Sequence, residues 1–520
     1  MENRIYALFA GRSEFPNQEI ANKISEKLES FLQSINTESG EIDHSLRERF
    51  RNTDIPTKGM KSTSYINFLL DKIIPHVMCV HSPNYIGHMT TPLPDFILPL
   101  NDIVTLLHQN VVKTETSKVI TYLEKEAIGK LHRLAYRCSE SFYSEHVQHP
   151  DSTLGNLVSG GTLANLTALW CARNQVLGTM NNFSGVGTQG FYDALRFHGF
   201  QKAVVIGSSL MHYSFDKVMD MIGLGSENLI KVPVDEQGHI KMPILRQTIQ
   251  ESRDQGYCVI AVIGIAGTTE TGAIDELEKI ADIAGEFSIP FHVDAAWGGP
   301  VLFSKRHRHK LSGLERANSI TMDGHKQLYL PIGTGMVLFK EPHYANVLER
   351  HSKYIIRKGS HDLGRHTLEG SKPASAIFLH ASLSILGHEG YEFLINDGIQ
   401  KARYLADFIK SSPSFELLVE PQLNIVNYRY IPTQLRVAKF NLDSLQNEAI
   451  NKLNKAIQKK QRVIGNGFVS RTTLTNTRYG NAQPIVVFRS VLANPWTTEP
   501  DIKMILEEQR NIGEELEKQL

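Results

Sequence analysis

The sequence predicts an α/β protein in which helices cover both faces of a mostly parallel sheet. From about residue 150 onward, apolar runs of strand length alternate with helical patterns, and the runs are KAVVIGS, CVIAVIGIAG and IPFHVDAA. The segment DELEKIADIAGEF, between the last two runs, has the apolar spacing of a helix. Runs rich in β-branched residues and bounded in this way are typical of parallel strands that are buried on both faces.

The segments on either side of this region predict further helices and a smaller α+β domain. ANKISEKLESFLQSI and Ile120–Tyr136 have helical spacing, whereas the proline-rich HSPNYIGHMTTPLPDFILPL predicts an extended loop. After about residue 370, PASAIFLHASLSILG predicts a helix, and the chain ends with a strand in QPIVVFRSVLAN and a helix from about Glu499. We therefore expect a helical segment with an interface loop at 1–115, a large α/β domain at 116–369 and a small α+β domain at 370–520.

The composition excludes several classes of protein. The chain has 520 residues, of which 41% are hydrophobic and 21% are charged, as in ordinary globular proteins of two or three domains. Lys+Arg and Asp+Glu are balanced at 55 each, so no basic field favours nucleic acid or an anionic membrane. The four cysteines are scattered without a C-x-x-C pair, which argues against a zinc site and favours a reducing compartment. With no long apolar stretch, the expected location is the cytoplasm.

A glycine-rich turn precedes a strong helical pattern in LGNLVSGGTLANLTALWCARN. Ser159, Gly160, Gly161 and Thr162 form this turn, and backbone N–H groups at the start of a helix can bind an anion. Alternatively, Thr162 is simply the N-cap of an ordinary helix. The turn is not a Walker loop, because no Lys-Ser/Thr pair follows at the required spacing.

Four residues with reactive or polar side chains stand near the ends of predicted strands. Asp294 ends IPFHVD, and Lys326 lies between two apolar segments beside His325. His212 follows KAVVIGS, and Thr268 follows VIGIAG. The carboxyl ends of parallel strands are where ligands bind in such sheets. Each residue also has a structural alternative: a loop or helix cap for Asp294, a helix-end lysine for Lys326 and a core histidine for His212.

Taken together, these groups predict a pyridoxal 5′-phosphate site. The cofactor forms an imine with a lysine, places its phosphate on a helix N-terminus and pairs its ring nitrogen with a carboxylate. Lys326, the Ser159–Thr162 turn and Asp294 would supply these three functions. A lysine in apolar surroundings can have a lowered pKa, which makes its amine a nucleophile.

The motifs HVDAAWGGP, HRHKLSGLERANSITMDGHKQL, SGGTLANLTAL and FRSVLANPWTT resemble those of the group II pyridoxal-phosphate decarboxylases. The resemblance extends in order from about residue 85 to about residue 500. It implies fold type I, the aspartate aminotransferase-like architecture. It also implies a homodimer with active sites at the subunit interface, acting on a small amino acid.

Matched position by position, the resemblance implies the individual site residues. Lys326 would bind the cofactor covalently, Asp294 would pair with its ring nitrogen, and His212 and Ala296 would lie on the two faces of the ring. The phosphate would be lined by Ser159, Gly160, Gly161, Thr162, Ser319 and His325. Thr268 would lie near the phenolic oxygen, Tyr354 would protonate the substrate Cα, and Thr90 and Arg489 would bind the substrate. Tyr354 could instead be a packing aromatic, and Arg489 a structural arginine.

The motifs also indicate a substrate class. RHKLSGLERANS is similar to the acidic-amino-acid branch, and HKQLYLPIGTGMV is similar to bacterial pyridoxal-dependent aspartate 1-decarboxylases, which implies conversion of L-aspartate to β-alanine and carbon dioxide. Two segments depart from the family pattern. The usual N-P-H-K is D-G-H-K here, with Asp323 and Gly324, and NYIGHMTTPLP differs from the F-N-Q-L type of glutamate decarboxylases.

These departures leave alternatives open. The substrate could be glutamate, cysteine sulfinate or an aromatic amino acid. The chemistry could be transamination or another lyase reaction on the same fold, which would give a different product. The third alternative is an inactive homologue that serves as a binding protein.

Overall fold

The computed structural model describes residues 18–37, 44–350, 359–437, 441–476, 478–479 and 482–518. The chain forms two compact units. The first unit comprises Met1–Pro92, Lys401–Leu418 and Val426–Leu520, and the second comprises Leu93–Gln400 and Val419–Ile425. These boundaries differ from the three-part division at 115 and 369, which stays a prediction.

The helices and strands follow the predicted order. The α-helices are α1 (Gln18–Leu32), α2 (His44–Arg49), α3 (Ser62–Phe68), α4 (Ile97–Leu107), α5 (Thr114–Ser117), α6 (Val119–Tyr136), α7 (Glu140–His146), α8 (Gly161–Val176), α9 (Val186–Gln189), α10 (Phe191–His198), α11 (Ser214–Met221), α12 (Met242–Asp254), α13 (Leu277–Glu286), α14 (Ala376–Ile385), α15 (Gly387–Ser411), α16 (Ser444–Ile464) and α17 (Glu499–Glu517). The strands are β1 (Gly155–Val158), β2 (Lys202–Ser208), β3 (Leu229–Val232), β4 (Tyr257–Ile265), β5 (Phe291–Asp294), β6 (Ser319–Asp323), β7 (Gly335–Phe339), β8 (Phe415–Val419), β9 (Ile425–Tyr430), β10 (Ser470–Asn476) and β11 (Gln483–Val491).

The second unit is built on a seven-stranded sheet in the order β1-β7-β6-β5-β4-β2-β3. The pairs from β3 through β2, β4 and β5 to β6 are parallel, and β7 runs antiparallel to both of its neighbours. Nearly every residue of β2, β4 and β5 is buried, because helices cover both faces. The predicted α/β fold class is confirmed.

Helix α8 is buried because apolar residues surround its axis. One side, with Leu166, Leu169 and Ala172, packs in the core that contains β2 and β4. The other side, with Ala164 and Ala168, packs in a cluster that contains β7. This packing on both sides fixes the start of α8, and therefore the glycine turn, beside the carboxyl end of β1.

The first unit contains a four-stranded sheet in the order β10-β11-β9-β8, packed against α16 and α17 around one apolar cluster.

The proline-rich segment is mostly without regular structure, as expected, but its last residues begin α4 at Ile97. Pro99 is the third residue of α4, where its missing N–H removes no intrahelical bond. Over the residues described, no helix has the length and apolar character needed to cross a membrane.

Candidate active site

The glycine turn joins β1 to α8 at the carboxyl edge of the sheet. The N-cap of α8 is Gly160, whose φ of 139° is unfavourable for other residues, and no side chain caps the helix. Thr162 is therefore not the cap, and its side chain is exposed, as is that of Ser159. Burial raises the pKa of the Glu369 carboxyl group, and the Ser159 hydroxyl opposes this shift. The turn has the backbone geometry of an anion site.

Asp294 ends β5 as a buried carboxylate whose oxygens accept bonds from two donors. The backbone N–H of Ala296 donates to Oδ1 at 3.1 Å, and Nδ2 of Asn165 donates to Oδ2 at 3.1 Å. Such bonds offset the cost of removing a carboxylate from water. Asp294 is therefore oriented by the chain itself.

The bond from Asn165 continues into a chain of hydrogen bonds, which we call the Asn165 relay (Asn165, His292 and Ser319). Oδ1 of Asn165 accepts from Nε2 of His292 at 3.1 Å, and Nδ1 of His292 accepts from the Ser319 hydroxyl at 2.9 Å. Because an ionised carboxylate only accepts, each following donor and acceptor in this chain is fixed. Burial lowers the pKa of His292 to about 4, so the ring stays neutral in the tautomer that the relay requires.

Lys326 lies just after β6 and forms an ion pair with Asp323. Its Nζ is 3.0 Å from Oδ2 of Asp323, whose side chain is only 5% exposed. Nε2 of His325 is 3.8 Å from the same oxygen, while Nδ1 of His325 donates to the backbone carbonyl of Thr334 at 3.0 Å. The Cε1 atom of His325 would be 3.6 Å from a Cβ added to Gly160, so His325 lies over the glycine turn.

A second network holds the segment after Lys326 against the segment after Asp294. Nε2 of Gln327 donates to the carbonyl of Trp297 at 2.7 Å, and Oε1 of Gln327 accepts from Asn424 at 2.9 Å. Nε1 of Trp297 donates to Oδ1 of Asn424 at 3.0 Å, which closes the ring. All three side chains are buried, so the backbones that carry Lys326 and Ala296 are fixed to each other.

His212 shows that the predicted groups meet at one place. Burial lowers the pKa of His212, the Asp294 carboxylate opposes this shift, and the Lys326 ammonium adds to it. His212 is half-buried, and its Nδ1 accepts from the backbone N–H of Ser214 at 3.3 Å. An amine, an oriented carboxylate, an imidazole ring and a helix start thus share the carboxyl edge, and these are the groups that pyridoxal phosphate needs.

Three other predicted residues have different positions relative to this edge. Ala296 is buried two residues after Asp294, and Thr268 is buried after β4, where its Oγ1 is 2.7 Å from that of Thr271. Ser319 is the first residue of β6, at the end opposite to Asp323. Its hydroxyl belongs to the Asn165 relay, so this geometry gives no support to its predicted contact with the phosphate, which stays a prediction.

The predicted substrate residues Thr90 and Arg489 both belong to the first unit. Arg489 is buried on β11, and its Nη1 donates to the Ser470 hydroxyl at 3.2 Å and to the Gly87 carbonyl at 3.5 Å. Thr90 hydrogen-bonds the Tyr85 hydroxyl at 3.0 Å. Tyr354 lies outside the described residues.

Sequence reasoning assigned no role to Asn165, His292, Asp323 or Gln327. Three of them carried a visible signal. Asn165 and His292 are polar residues inside apolar stretches, where an unpaired polar group is costly. Asp323 was visible as a departure from the N-P-H-K pattern. Gln327 carried no signal, since its partners are remote in sequence.

The fold and the grouped side chains define the class of pyridoxal-phosphate enzymes of fold type I, and comparison with known proteins identifies the family. Residues 46–431 match the model described as the pyridoxal-dependent decarboxylase conserved domain. The chain is 41% identical over 498 residues to an aspartate 1-decarboxylase of Aliivibrio fischeri, which covers 95% of this chain and 91% of the relative. It is 30% identical over 373 residues to an aromatic-L-amino-acid decarboxylase of Bacillus atrophaeus, covering 71% of this chain and 70% of the relative. The chain belongs to the pyridoxal-dependent decarboxylase family.

Solved structures agree with the predicted fold. The glutamate decarboxylase domain of diaminobutyrate-pyruvate transaminase and L-2,4-diaminobutyrate decarboxylase from Vibrio parahaemolyticus matches with a TM-score of 0.81 at 22% identity, covering 99% of this chain and all of that one. The structure of Oryza sativa TDC with PLP and tryptamine matches with a TM-score of 0.83 at 18% identity, covering 98% of this chain and 99% of that one. The protein is thus an amino-acid carboxy-lyase that uses pyridoxal 5′-phosphate.

Proposed function

We propose that the protein converts L-aspartate to β-alanine and carbon dioxide. The observation that carries the proposal is the 41% identity to an aspartate 1-decarboxylase, which extends over 95% of this chain. The grouping of Lys326, Asp294 and His212 at one edge of the sheet supports the chemistry, because each lies at or just after the carboxyl end of a parallel strand of that sheet.

We assign the cofactor contacts to the chain as follows. Lys326 would hold the aldehyde carbon, Asp294 would pair with the ring nitrogen, and the turn at Ser159–Thr162 with His325 would take the phosphate. His212 and Ala296 would cover the two faces of the ring, and Thr268 would approach the phenolic oxygen. When bound, the cofactor accepts the electron pair that remains after the carbon–carbon bond breaks.

The residues of the chain control charge and protons around this reaction. The Asn165 relay keeps Asp294 oriented as an acceptor, so its charge stays directed at a ring N–H. Lys326 Nζ would give up a proton to neighbouring groups to take the aldehyde carbon, and it would regain one after the substrate amine displaces it from that carbon. The Tyr354 hydroxyl donates a proton to the substrate Cα, and the Arg489 guanidinium binds the side-chain carboxylate of the substrate in a planar arrangement.

We propose a homodimer in the cytoplasm, with a small amino acid as the only other partner. The dimer rests on the family resemblance. The cytoplasmic location is supported by the four cysteines, all of which lie in the described part of the chain and none of which forms a disulfide.

A substrate panel tests the proposal. The pure protein with pyridoxal phosphate is incubated with aspartate, glutamate, cysteine sulfinate, tyrosine and 2,4-diaminobutyrate, and released carbon dioxide and the amine product are both measured. We expect the highest kcat/KM with aspartate and one β-alanine for each carbon dioxide. A keto acid product, or a higher kcat/KM with another amino acid, would contradict the proposal.

The role of Lys326 is tested with a matched lysine. Lys326→Ala should abolish carbon dioxide release and the visible absorbance of the bound cofactor. Lys305→Ala is the control, because the Lys305 side chain is 76% exposed on the same unit. Equal activity in the two variants would show that Lys326 is not the cofactor lysine.

A further inference from the structure

Asp323 places a second buried carboxylate at the carboxyl edge of the sheet. Its side chain is 5% exposed, and Oδ2 is 3.0 Å from Nζ of Lys326. Its Oδ1 is buried and accepts no hydrogen bond from any of the residues described. Asp323 therefore differs from Asp294, whose oxygens accept from two donors of the chain.

The carboxylate of Asp323 lies directly against the glycine turn. A Cβ added to Gly161 would be 2.8 Å from Oδ2, and one added to Gly335 would be 2.9 Å from Oδ1. Only the absence of side chains at these positions lets the carboxylate approach the turn so closely. Asp323 thus puts a negative charge at the start of α8, where the partial positive charge of the helix favours an anion.

The same helix start is the place assigned above to the phosphate of the cofactor. Two anions near one helix start repel each other, and they compete for the same partial charge. Lys326 compensates the charge of Asp323 while its nitrogen is protonated, and that compensation would be lost whenever the nitrogen gives up its proton or moves away from Asp323 to hold an aldehyde.

We propose that Asp323 is a positioning residue that holds the Lys326 ammonium and, through its charge at the start of α8, weakens binding of the phosphate group of pyridoxal phosphate. This inference rests on the proposed placement of the cofactor. It explains the functional consequence of D-G-H-K in this chain: Asp323 sets how tightly the cofactor is retained.

The test separates the phosphate contribution from every other contribution to cofactor binding. Dissociation constants for pyridoxal phosphate and for pyridoxal, which lacks the phosphate, are measured by equilibrium dialysis of the full chain with absorbance detection. Their ratio reports the phosphate alone, because effects on Lys326 and on the ring contacts act on both ligands. Asp323→Asn keeps the shape of the side chain and removes its charge.

We expect the ratio of the pyridoxal constant to the pyridoxal phosphate constant to rise about tenfold in Asp323→Asn. Asp282→Asn is the control, since it removes the same charge from an exposed ion pair with Arg316, and it should leave the ratio unchanged. Asp323→Ser should give the same rise, and it carries the test if the asparagine variant does not fold.

A ratio that falls, or that stays at the wild-type value in both Asp323 variants, would overturn the inference. A purely structural role of Asp323 would weaken both ligands equally and would leave the ratio unchanged. Failure of the proposed function would give a different result. Neither ligand would then be bound through Lys326, so wild-type protein and Lys326→Ala would bind each ligand with equal affinity.

Discussion

Replacing Asn165 by leucine should destabilise the protein by an amount that follows from the two shorter of its three buried hydrogen bonds, since the third, to the Ser214 hydroxyl, is long at 3.4 Å. Leucine has the same branching and the same number of side-chain heavy atoms, so the change removes polar groups without opening a large cavity. The bond to the Asp294 carboxylate, at 3.1 Å, contributes about 1.5–3 kcal/mol, because one partner is charged. The bond from His292, also at 3.1 Å, contributes about 0.5–1.5 kcal/mol, since both partners are neutral. The expected loss is therefore about 2–4.5 kcal/mol.

The assay is thermal unfolding of wild-type and variant protein under the same conditions. For a chain of 520 residues the entropy of unfolding is about 1.1 kcal/mol/K, so Tm should fall by about 2–4 °C. Thr167→Val is the matched control on the same helix, because the Thr167 hydroxyl donates to the carbonyl of Leu163 at 2.7 Å and, among the described residues, has no bond to Asp294. If Asn165→Leu lowers Tm no more than Thr167→Val does, the relay does not stabilise Asp294.

Three further predictions concern buried ionisable side chains. Asp294→Asn should keep Tm close to that of the wild type, because the relay can reverse its donors, but it should weaken pyridoxal phosphate binding about hundredfold or more in a titration. Lys372→Met should cost about 3–5 kcal/mol by leaving Glu124, which is 2% exposed, without its cation, and adding Glu124→Gln should recover most of that loss in Tm. Burial lowers the pKa of His132 and His292 to about 4, so the unfolded state takes up protons first as the pH falls below about 6.5. Stability should then decrease between about pH 6.5 and pH 4, by up to about 3 kcal/mol for each histidine, and His132→Asn should reduce this pH dependence of Tm.

The sequence predicted the strands and the residues at their ends, because these follow from local composition. A buried parallel strand is a continuous apolar run, and the polar residue that ends it is visible without a structure, as for Asp294 after IPFHV. The start of α4 was missed, since Pro99 looks like a helix breaker but occupies a position where it is tolerated.

The partners of the site residues could not be predicted in this way. Asn165 and Asp294 are separated by 129 residues, and Gln327 and Asn424 by 97. Contacts over such distances are set by the order of strands in the sheet and by the packing of α8, which no local pattern specifies. For the same reason, the position of Ser319 at the opposite end of β6 follows from strand direction rather than from its proximity to Lys326 in the chain.

The two carboxylates at the ends of β5 and β6 show that neighbouring strands can carry acidic residues with different functions. Asp294 is held by N–H donors that belong to the chain, so its charge is compensated whether or not a ligand is present. If its charge is removed, Asn165 can turn its amide, and Nδ1 of His292 can donate to the Ser319 carbonyl at 3.1 Å, so each hydrogen bond of the relay is kept with its direction reversed. Asp323 has the ammonium of Lys326 as its charged partner at 3.0 Å, so its environment changes whenever Lys326 reacts. A permanent charge suits the recognition of a ring nitrogen, whereas a charge coupled to Lys326 suits control over when the site accepts and releases an anion.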